Sequence, residues 1–375
     1  MLNIGFKWFT QNPAISSLNQ GIELAVEAKV QSLLILACAD NHISVTECDL
    51  LLTRLNITIF GGVFPALLSE ENVLTTGYVL VGFVEPIQVD TFEHISRLSA
   101  EDAEAVYEAE IEQKLNVNAP SYFLFHDAFS PNSEYFIDAL FYCLGDVKVI
   151  GGGAGSLDFV SRPCVFTNKG MLQDVVQLAA LPAKLFINVT HGWQILDGPY
   201  LVTEATAHQI TSLNYQNAAE QYQTSIESLS DMRFEGQDFF TIAKNFPLGI
   251  KGANDEILVR EPIKVQNGTL ECVGNIPNNA SVYILTGDRA GLIQSLKQSC
   301  EQFYATTTEC NNLFIVDCIG RFLFLENDFD QELDAILSGG IFKESAFGVL
   351  SLGEISNTQN GAIKLLNKSI VLGCF

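Results

Sequence analysis

Two stretches with the same order of elements, about ninety residues apart, restrict what this chain can fold into more than any other feature. Ser32-Leu33-Leu34-Ile35-Leu36-Ala37 is an apolar run without helical period, which predicts a buried strand. Val45–Leu55 carries apolar residues at helical spacing, and Ile57-Thr58-Ile59-Phe60 predicts a second strand ending in Gly61-Gly62. The order then recurs. Ser121-Tyr122-Phe123-Leu124-Phe125 predicts a strand, Asn132–Leu144 a helix behind Ser130-Pro131, and Val147-Lys148-Val149-Ile150 a strand ending in Gly151-Gly152-Gly153. Leu33 and Tyr122 stand 89 residues apart, and Gly61 and Gly151 stand 90 apart. Each glycine set leads into an expected hairpin, Val73–Leu80 about Gly77 and Cys164–Met171 about Gly170, where Asn-Lys-Gly suits a tight turn with positive φ. Two copies of one strand–helix–strand–glycine–hairpin unit are therefore expected, at about residues 30–95 and 119–190, packed side by side.

From Ala207 onward the texture changes. Asn217–Leu229 is predicted helical with one polar face, Asp238–Pro247 is a second short helix, and two strands flank Asn267-Gly268. A strand at Ser281–Leu285, a helix at Ala290–Tyr304, a strand at Asn312–Asp317, a helix at Asp328–Leu337 and a strand at Ala346–Leu352 follow. Alternating strands and helices imply parallel neighbours covered by helices, and the hairpins add antiparallel strands. The expectation is an α/β protein of mixed sheets flanked by helices. Its two closely packed parts are residues 1–207, with the duplication, and a second α/β domain at 208–375.

At 375 residues, with 48% hydrophobic and 17% charged, the chain can build a large core, which excludes wholesale disorder. A net charge of −24 repels phosphate backbones and no basic patch offsets it, so no nucleic-acid partner is expected. The nine cysteines contain no C-x-x-C pair, which excludes a zinc ribbon or a thioredoxin-like site. Met1-Leu2-Asn3-Ile4-Gly5 lacks the basic n-region and long apolar h-region of a signal peptide, so none is expected. No uncharged apolar run reaches the roughly 18 residues of a membrane span, and Val175–Val189 is broken by Pro182 and Lys184. The expected setting is a reduced cytoplasm, without a membrane.

Gly151-Gly152-Gly153-Ala154-Gly155 follows a strand as a phosphate loop would, but lacks G-x-G-x-x-G spacing and leads toward a hairpin instead of a helix. Its twin at Gly61-Gly62 favours backbone packing at a strand end, and Gly152 and Gly153 stay as candidates for lining a ligand. Neither a G-x-S-x-G elbow nor H-E-x-x-H occurs. His126-Asp127 stands at a strand end, where ligands of open α/β sheets bind. Adjacent strand residues point apart, which favours a structural His126. His191 leaves the predicted strand Leu185–Val189, with Gly192 giving space beside the imidazole and Trp193 an apolar wall. That setting suits iron ligation or a hydrogen bond to a small ligand; a structural histidine bonded to a neighbouring strand end is the alternative. His42, His94 and His208 read as exposed. Arg321 and Glu354 follow two C-terminal strands. A carboxylate clamp by Arg321 and a structural Arg321–Glu354 salt bridge are both open.

Gly61-Gly62-Val63-Phe64-Pro65, Val149-Ile150 through Gly155, His191-Gly192-Trp193, Val202-Thr203 and Asn217-Ala218-Ala219-Glu220-Gln221-Tyr222 together resemble the FIST family of sensory input domains. Asp317-Cys318-Ile319-Gly320-Arg321 and Phe347-Gly348 through Gly353-Glu354-Ile355 continue the resemblance, which spans about residues 25–370. It departs at Leu366-Asn367-Lys368-Ser369, where the family often has His-Asn-x-Thr. The resemblance implies an N-terminal and a C-terminal FIST domain that bind a small ligand, such as an amino acid. Chains made only of FIST domains resemble NosP-type proteins. That likeness implies haem, nitric-oxide sensing, a histidine ligand placed here at His191, and control of a separate histidine kinase or cyclic-di-GMP enzyme. The second expectation is an amino-acid or small-metabolite sensor, with Arg321 as the clamp. A third is a small-molecule enzyme using His126, Asp127 or Cys318, against which the missing catalytic spacing argues.

Overall fold

In the computed structural model, residues 2–115, 118–252, 256–307, 310–338, 342, 344–358 and 360–375 are described. Their strands form three six-stranded sheets of one topology and a fourth sheet of seven strands. The repeated unit runs edge strand, helix, strand, helix, strand, hairpin and return strand. In the first copy the two central strands are Ser32–Cys38 and Thr58–Phe64, parallel to each other, with Tyr78–Phe83 returning antiparallel beside the first. Ser121–Asp127, Lys148–Ala154 and Val175–Leu181 repeat the arrangement. Both first strands are buried along their whole length, as a parallel pair covered on two faces requires.

The unit occurs a third time, which the sequence reading did not anticipate. Leu313–Cys318 and Ala346–Ser351 pair in parallel, and Ile370–Cys374 returns antiparallel beside the first of them. The edge strand of this copy, Phe186–Thr190, pairs with Ile370–Cys374 just as Ile4–Thr10 pairs with Tyr78–Phe83. Between Phe186–Thr190 and its following helix, Arg289–Thr306, lies an inserted antiparallel sheet. That interruption hides the third copy from a search for a constant offset.

Each hairpin leaves its own sheet and extends the next one. Ala66–Ser69 pairs with Ala346–Ser351, Val165–Thr167 with Thr58–Phe64, and Glu354–Asn357 with Lys148–Ala154. The exchange closes a ring of three sheets around a shared apolar core, to which Leu36, Phe125 and Val316 contribute from equivalent positions. It also covers the edge that each second strand would otherwise expose. The first hairpin differs from expectation: Ala66–Ser69 pairs with Asn72–Leu74, whereas Gly77 lies in the turn before the return strand. The second turns at Asn168-Lys169, as expected.

Gly61, Gly151 and Gly348 occupy the same position in the three copies. A Cβ there would lie 2.1, 1.7 and 2.2 Å from the carbonyl oxygens of Ile35, Leu124 and Ile315. The glycines thus permit close parallel pairing at the centre of each sheet.

In the inserted sheet, Gln194–Thr206 pairs with both Ser281–Thr286 and Gln209–Leu213, and Ile257–Gln266 pairs with both Leu248–Lys251 and Thr269–Val273. With two further pairings the strands form a closed ring, packed with Tyr222, Ile226, Ile242 and Ala243 from two short helices. The expected boundary at 207/208 falls in the turn joining two paired strands of this ring. The expectation of wholly reduced cysteines is corrected as well: Cys310 and Cys374 are disulfide-bonded, tying the approach to Leu313–Cys318 to the last strand. Among the described residues, no helix is long and apolar enough to cross a membrane.

Candidate functional site

The polar residues of the third copy gather at the C-terminal ends of its parallel strands, against the inserted ring. Helix Ile319–Leu325 starts directly after Leu313–Cys318, so Arg321 turns back beneath the strand end. Its guanidinium is fully buried and forks onto Glu332, Nε to Oε1 at 3.2 Å and Nη2 to Oε2 at 2.5 Å. Nη1 donates to the carbonyls of His191 at 2.6 Å and Lys368 at 3.4 Å. Asp317 lies 3.8 Å from Nε. Burial and the neighbouring Glu332 carboxylate hold the Asp317 carboxyl well above its ordinary range.

Glu354 is equally buried, but its partners are the Ser351 hydroxyl at 3.0 Å and the Ser369 amide at 3.2 Å. Desolvation pushes its pKa up to about 8. The expected Arg321–Glu354 salt bridge does not form: the ion-pair partner of Arg321 is Glu332. Protein groups engage four of its five N–H donors, which leaves little of the fork for a ligand carboxylate.

His191, Gly192 and Trp193 reach the same place along the segment that leads into the inserted ring. The imidazole Nδ1 accepts the Trp193 amide N–H at 3.0 Å. Burial, with the positive charge of Arg321, lowers the His191 pKa to about 4. The ring is therefore neutral near pH 7, with its proton on Nε2. Gly192 adopts φ +78°, and a Cβ there would sit 3.2 Å from Leu292 Cα and Ser295 Cβ. Helix Arg289–Thr306 thus fills the space that the sequence suggested for a planar ligand. Axial ligation through Nε2 needs its lone pair and a donating Nδ1–H, the reverse of this arrangement. His191 as placed does not fit a haem ligand.

Trp193 is buried, and its Nε1 donates to the Lys368 carbonyl at 3.2 Å. The Lys368 ammonium is also fully buried. It pairs with Glu261 at 2.6 Å, donates to the carbonyls of Gly320 and Lys244 at 3.1 Å each, and lies 5.7 and 5.9 Å from the rings of Trp193 and Phe324. Glu261 and Lys244 come from the inserted ring and its helix, so this cluster is a seam between two bodies.

His126, Gly152 and Gly153 lie nearby, in the second sheet, where Gly152 pairs with Glu354. His126 is buried, its Nδ1 stands 3.1 Å from the Asp127 carbonyl, and desolvation lowers its pKa to about 4. The Asp127 carboxylate accepts the amides of Phe129 and Asp174. Both are held by backbone. A Cβ on Gly152 would meet Ser351 at 2.7 Å, and one on Gly153 would meet Ala128 and the Leu352 carbonyl at 2.8 Å, so neighbouring chain occupies the space before both glycines. His42, His94 and His208 are exposed, as expected.

Two surface hollows lie elsewhere: about 670 Å³ bordered by Phe92, His94, Arg97 and Lys114, and about 440 Å³ beside Gln216, Glu220 and Thr224. Among the described residues, no group of three His, Cys, Asp or Glu side chains is placed to hold a metal.

The structure thus brings together His191, Gly192, Trp193, Arg321 and Glu354, and sets His126, Gly152 and Gly153 beside Glu354 in the adjoining sheet. Sequence reasoning missed Glu261, Asp317, Phe324, Glu332 and Lys368. Of these, Asp317 gave a signal within Asp317-Cys318-Ile319-Gly320-Arg321, and Lys368 as part of the departure at Leu366-Asn367-Lys368-Ser369. No curated protein matches the chain. The family models of the FIST N domain and the FIST C domain match residues 32–216 and 218–357. FIST domains are sensor domains of signal transduction, and with both models covering most of its length, this chain belongs to the FIST family.

Proposed function

We propose that this chain is a sensory input protein whose small-molecule ligand acts at the seam between the inserted ring and the third unit, and which regulates a separate output protein. The supporting observation is the convergence of two buried ion pairs, Arg321–Glu332 and Lys368–Glu261, on a boundary between two packed bodies, with buried Glu354 beside them. Buried charges contribute little net stability but hold a specific arrangement, and binding that alters one partner shifts the balance between arrangements. A histidine kinase or a cyclic-di-GMP enzyme is the output partner that the resemblance suggests.

A thermal-shift panel of small metabolites, on wild-type protein and on Glu261→Gln, tests the reading. A ligand should raise Tm in wild type and lose most of its effect in the variant. A stabiliser indifferent to Glu261, Arg321 and Glu354 would move the site elsewhere.

The haem-based nitric-oxide form of this reading rests on the resemblance, and the hydrogen bond from Trp193 to His191 Nδ1 weighs against it. Purified protein titrated with haemin tests it directly. A Soret band that shifts with nitric oxide and weakens in His191→Ala would restore haem, whereas colourless protein favours the metabolite reading.

A further inference from the structure

The surroundings of the Lys368 side chain form a complete recognition site for an ammonium ion. Two aromatic faces, one carboxylate and two backbone carbonyls converge on a single nitrogen. Aromatic faces and anionic or carbonyl oxygens are the groups that bind a desolvated ammonium. A lysine is seldom fully buried, and this one reaches its place from a residue with φ +54°, a conformation that a non-glycine residue adopts at a cost. The backbone turn is locked from behind, since the Lys368 carbonyl accepts from both Trp193 Nε1 and Arg321. The walls come from different elements: Trp193 from the connecting segment, Gly320 and Phe324 from helix Ile319–Leu325, and Lys244 and Glu261 from the inserted ring. Sites assembled at boundaries of this kind are where small molecules bind.

We propose that this cage is an ammonium subsite, that Lys368 is its tethered occupant, and that the ligand displacing it is a small primary amine on an unbranched aliphatic stem. The proposal rests on the reading of the seam as the sensory site, and adds the chemical class of the ligand. Withdrawal of Lys368 would free the turn before Ile370–Cys374 and unpair Glu261 unless the incoming amine replaced the ion pair. Ligand and tether are therefore mutually exclusive. A primary ammonium is required because the Gly320 and Lys244 carbonyls and Glu261 each need an N–H.

Chemical rescue tests this in the full chain. Lys368→Gly removes the side chain and suits the positive φ, and n-butylammonium reproduces the deleted atoms. The variant should melt below wild type, and n-butylammonium should restore Tm with a saturable dependence. Tetramethylammonium and sodium chloride at equal ionic strength should not. Lys368→Met, which keeps the bulk without the charge, should show no rescue, and Glu261→Gln in the Lys368→Gly background should abolish it. A folded Lys368→Gly protein whose Tm is indifferent to n-butylammonium overturns the proposal.

If Lys368→Gly does not fold, Trp8→Phe leaves Trp193 as the sole tryptophan. Saturable change of its emission with n-butylammonium, lost in Glu261→Gln, then supports displacement, and no change refutes it. A metabolite that stabilises wild type through the seam while Lys368→Gly ignores n-butylammonium refutes the ammonium assignment and spares the sensory reading. Rescue without any stabiliser of wild type does the reverse.

Discussion

Asn41 and Gly77 exchange two hydrogen bonds, Asn41 Nδ2 to the Gly77 carbonyl at 2.7 Å and the Gly77 N–H to Asn41 Oδ1 at 2.6 Å. The same latch recurs three residues past the first parallel strand in every copy. Ser130 Oγ donates to Asp174 at 2.7 Å, and Arg321 Nη1 to the Lys368 carbonyl at 3.4 Å. Each ties the helix start to the turn before the return strand. Only the third latch uses a cation, Arg321, and that is where the seam lies.

Asn41→Ala removes both bonds and leaves the part-buried Gly77 N–H without its acceptor, while the Gly77 carbonyl keeps the Cys38 N–H, so it should destabilise by about 1–3 kcal/mol. Urea unfolding measures this, and an effect within experimental error would show that the first latch is incidental. The seam should be unaffected, because the two sites share no partner.

Arg321→Met strands Glu332 and Asp317 without a cation in a fully buried setting. The expected loss is about 3–5 kcal/mol, and adding Glu332→Leu should recover part of it, since replacing a buried pair is less costly than breaking it. Equal stability of the single and double variants would contradict this account.

Buried His126 and half-buried His191 on one side, and Glu354 on the other, give stability opposite pH slopes. The His126 pKa is lowered from 6.5 to about 4. The unfolded chain therefore binds a proton that the folded chain refuses as pH falls below 6.5, and about 3 kcal/mol is lost by pH 4. His191, also lowered to about 4, acts in the same direction. His126→Gln should flatten this acid limb of a Tm–pH profile, provided it folds.

Glu354 works the other way. Its pKa is raised from 4.5 to about 8, so the folded chain holds a proton that the unfolded chain has released across that interval. Its contribution declines as pH rises from 4.5 to 8. Glu354→Gln, a neutral isostere, should match wild type near pH 5 and exceed it by roughly 2–5 kcal/mol at pH 9. A difference independent of pH would mean that the carboxyl is already ionised near neutrality.

Gly151→Ala would place a methyl 1.7 Å from the Leu124 carbonyl oxygen and should abolish soluble expression, as should the equivalent changes at Gly61 and Gly348. Gly145→Ala is the comparison: nothing lies within 4 Å, but φ +58° with ψ −127° is a glycine conformation, so it should cost backbone strain alone, about 1–3 kcal/mol, and still yield soluble protein. Soluble yields and denaturation midpoints compare them.

The strands and helices were readable because their apolar patterns differ in period. Ser121–Asp127, Arg289–Thr306 and Ala346–Ser351 appear within a residue or two of expectation. The first hairpin was misplaced because Gly77 signals a turn equally well before a hairpin strand or a return strand. At the site, His191, Trp193, Arg321 and Glu354 were legible as polar or aromatic residues at strand exits. Their partners were not: Glu332 lies eleven residues beyond Arg321, and Glu261 more than a hundred before Lys368.

The sequence by itself determined the repeated unit, the α/β class and the positions where backbones must approach closely, because periodicity and glycine spacing act over short stretches. Tertiary structure alone decided the third copy, the cyclic exchange of hairpins and the pairing of the buried charges. Those depend on which edges and which desolvated groups meet in space. Once Arg321 and Lys368 are withdrawn from water, the nearest carboxylates must be Glu332 and Glu261, however far apart they stand in the chain.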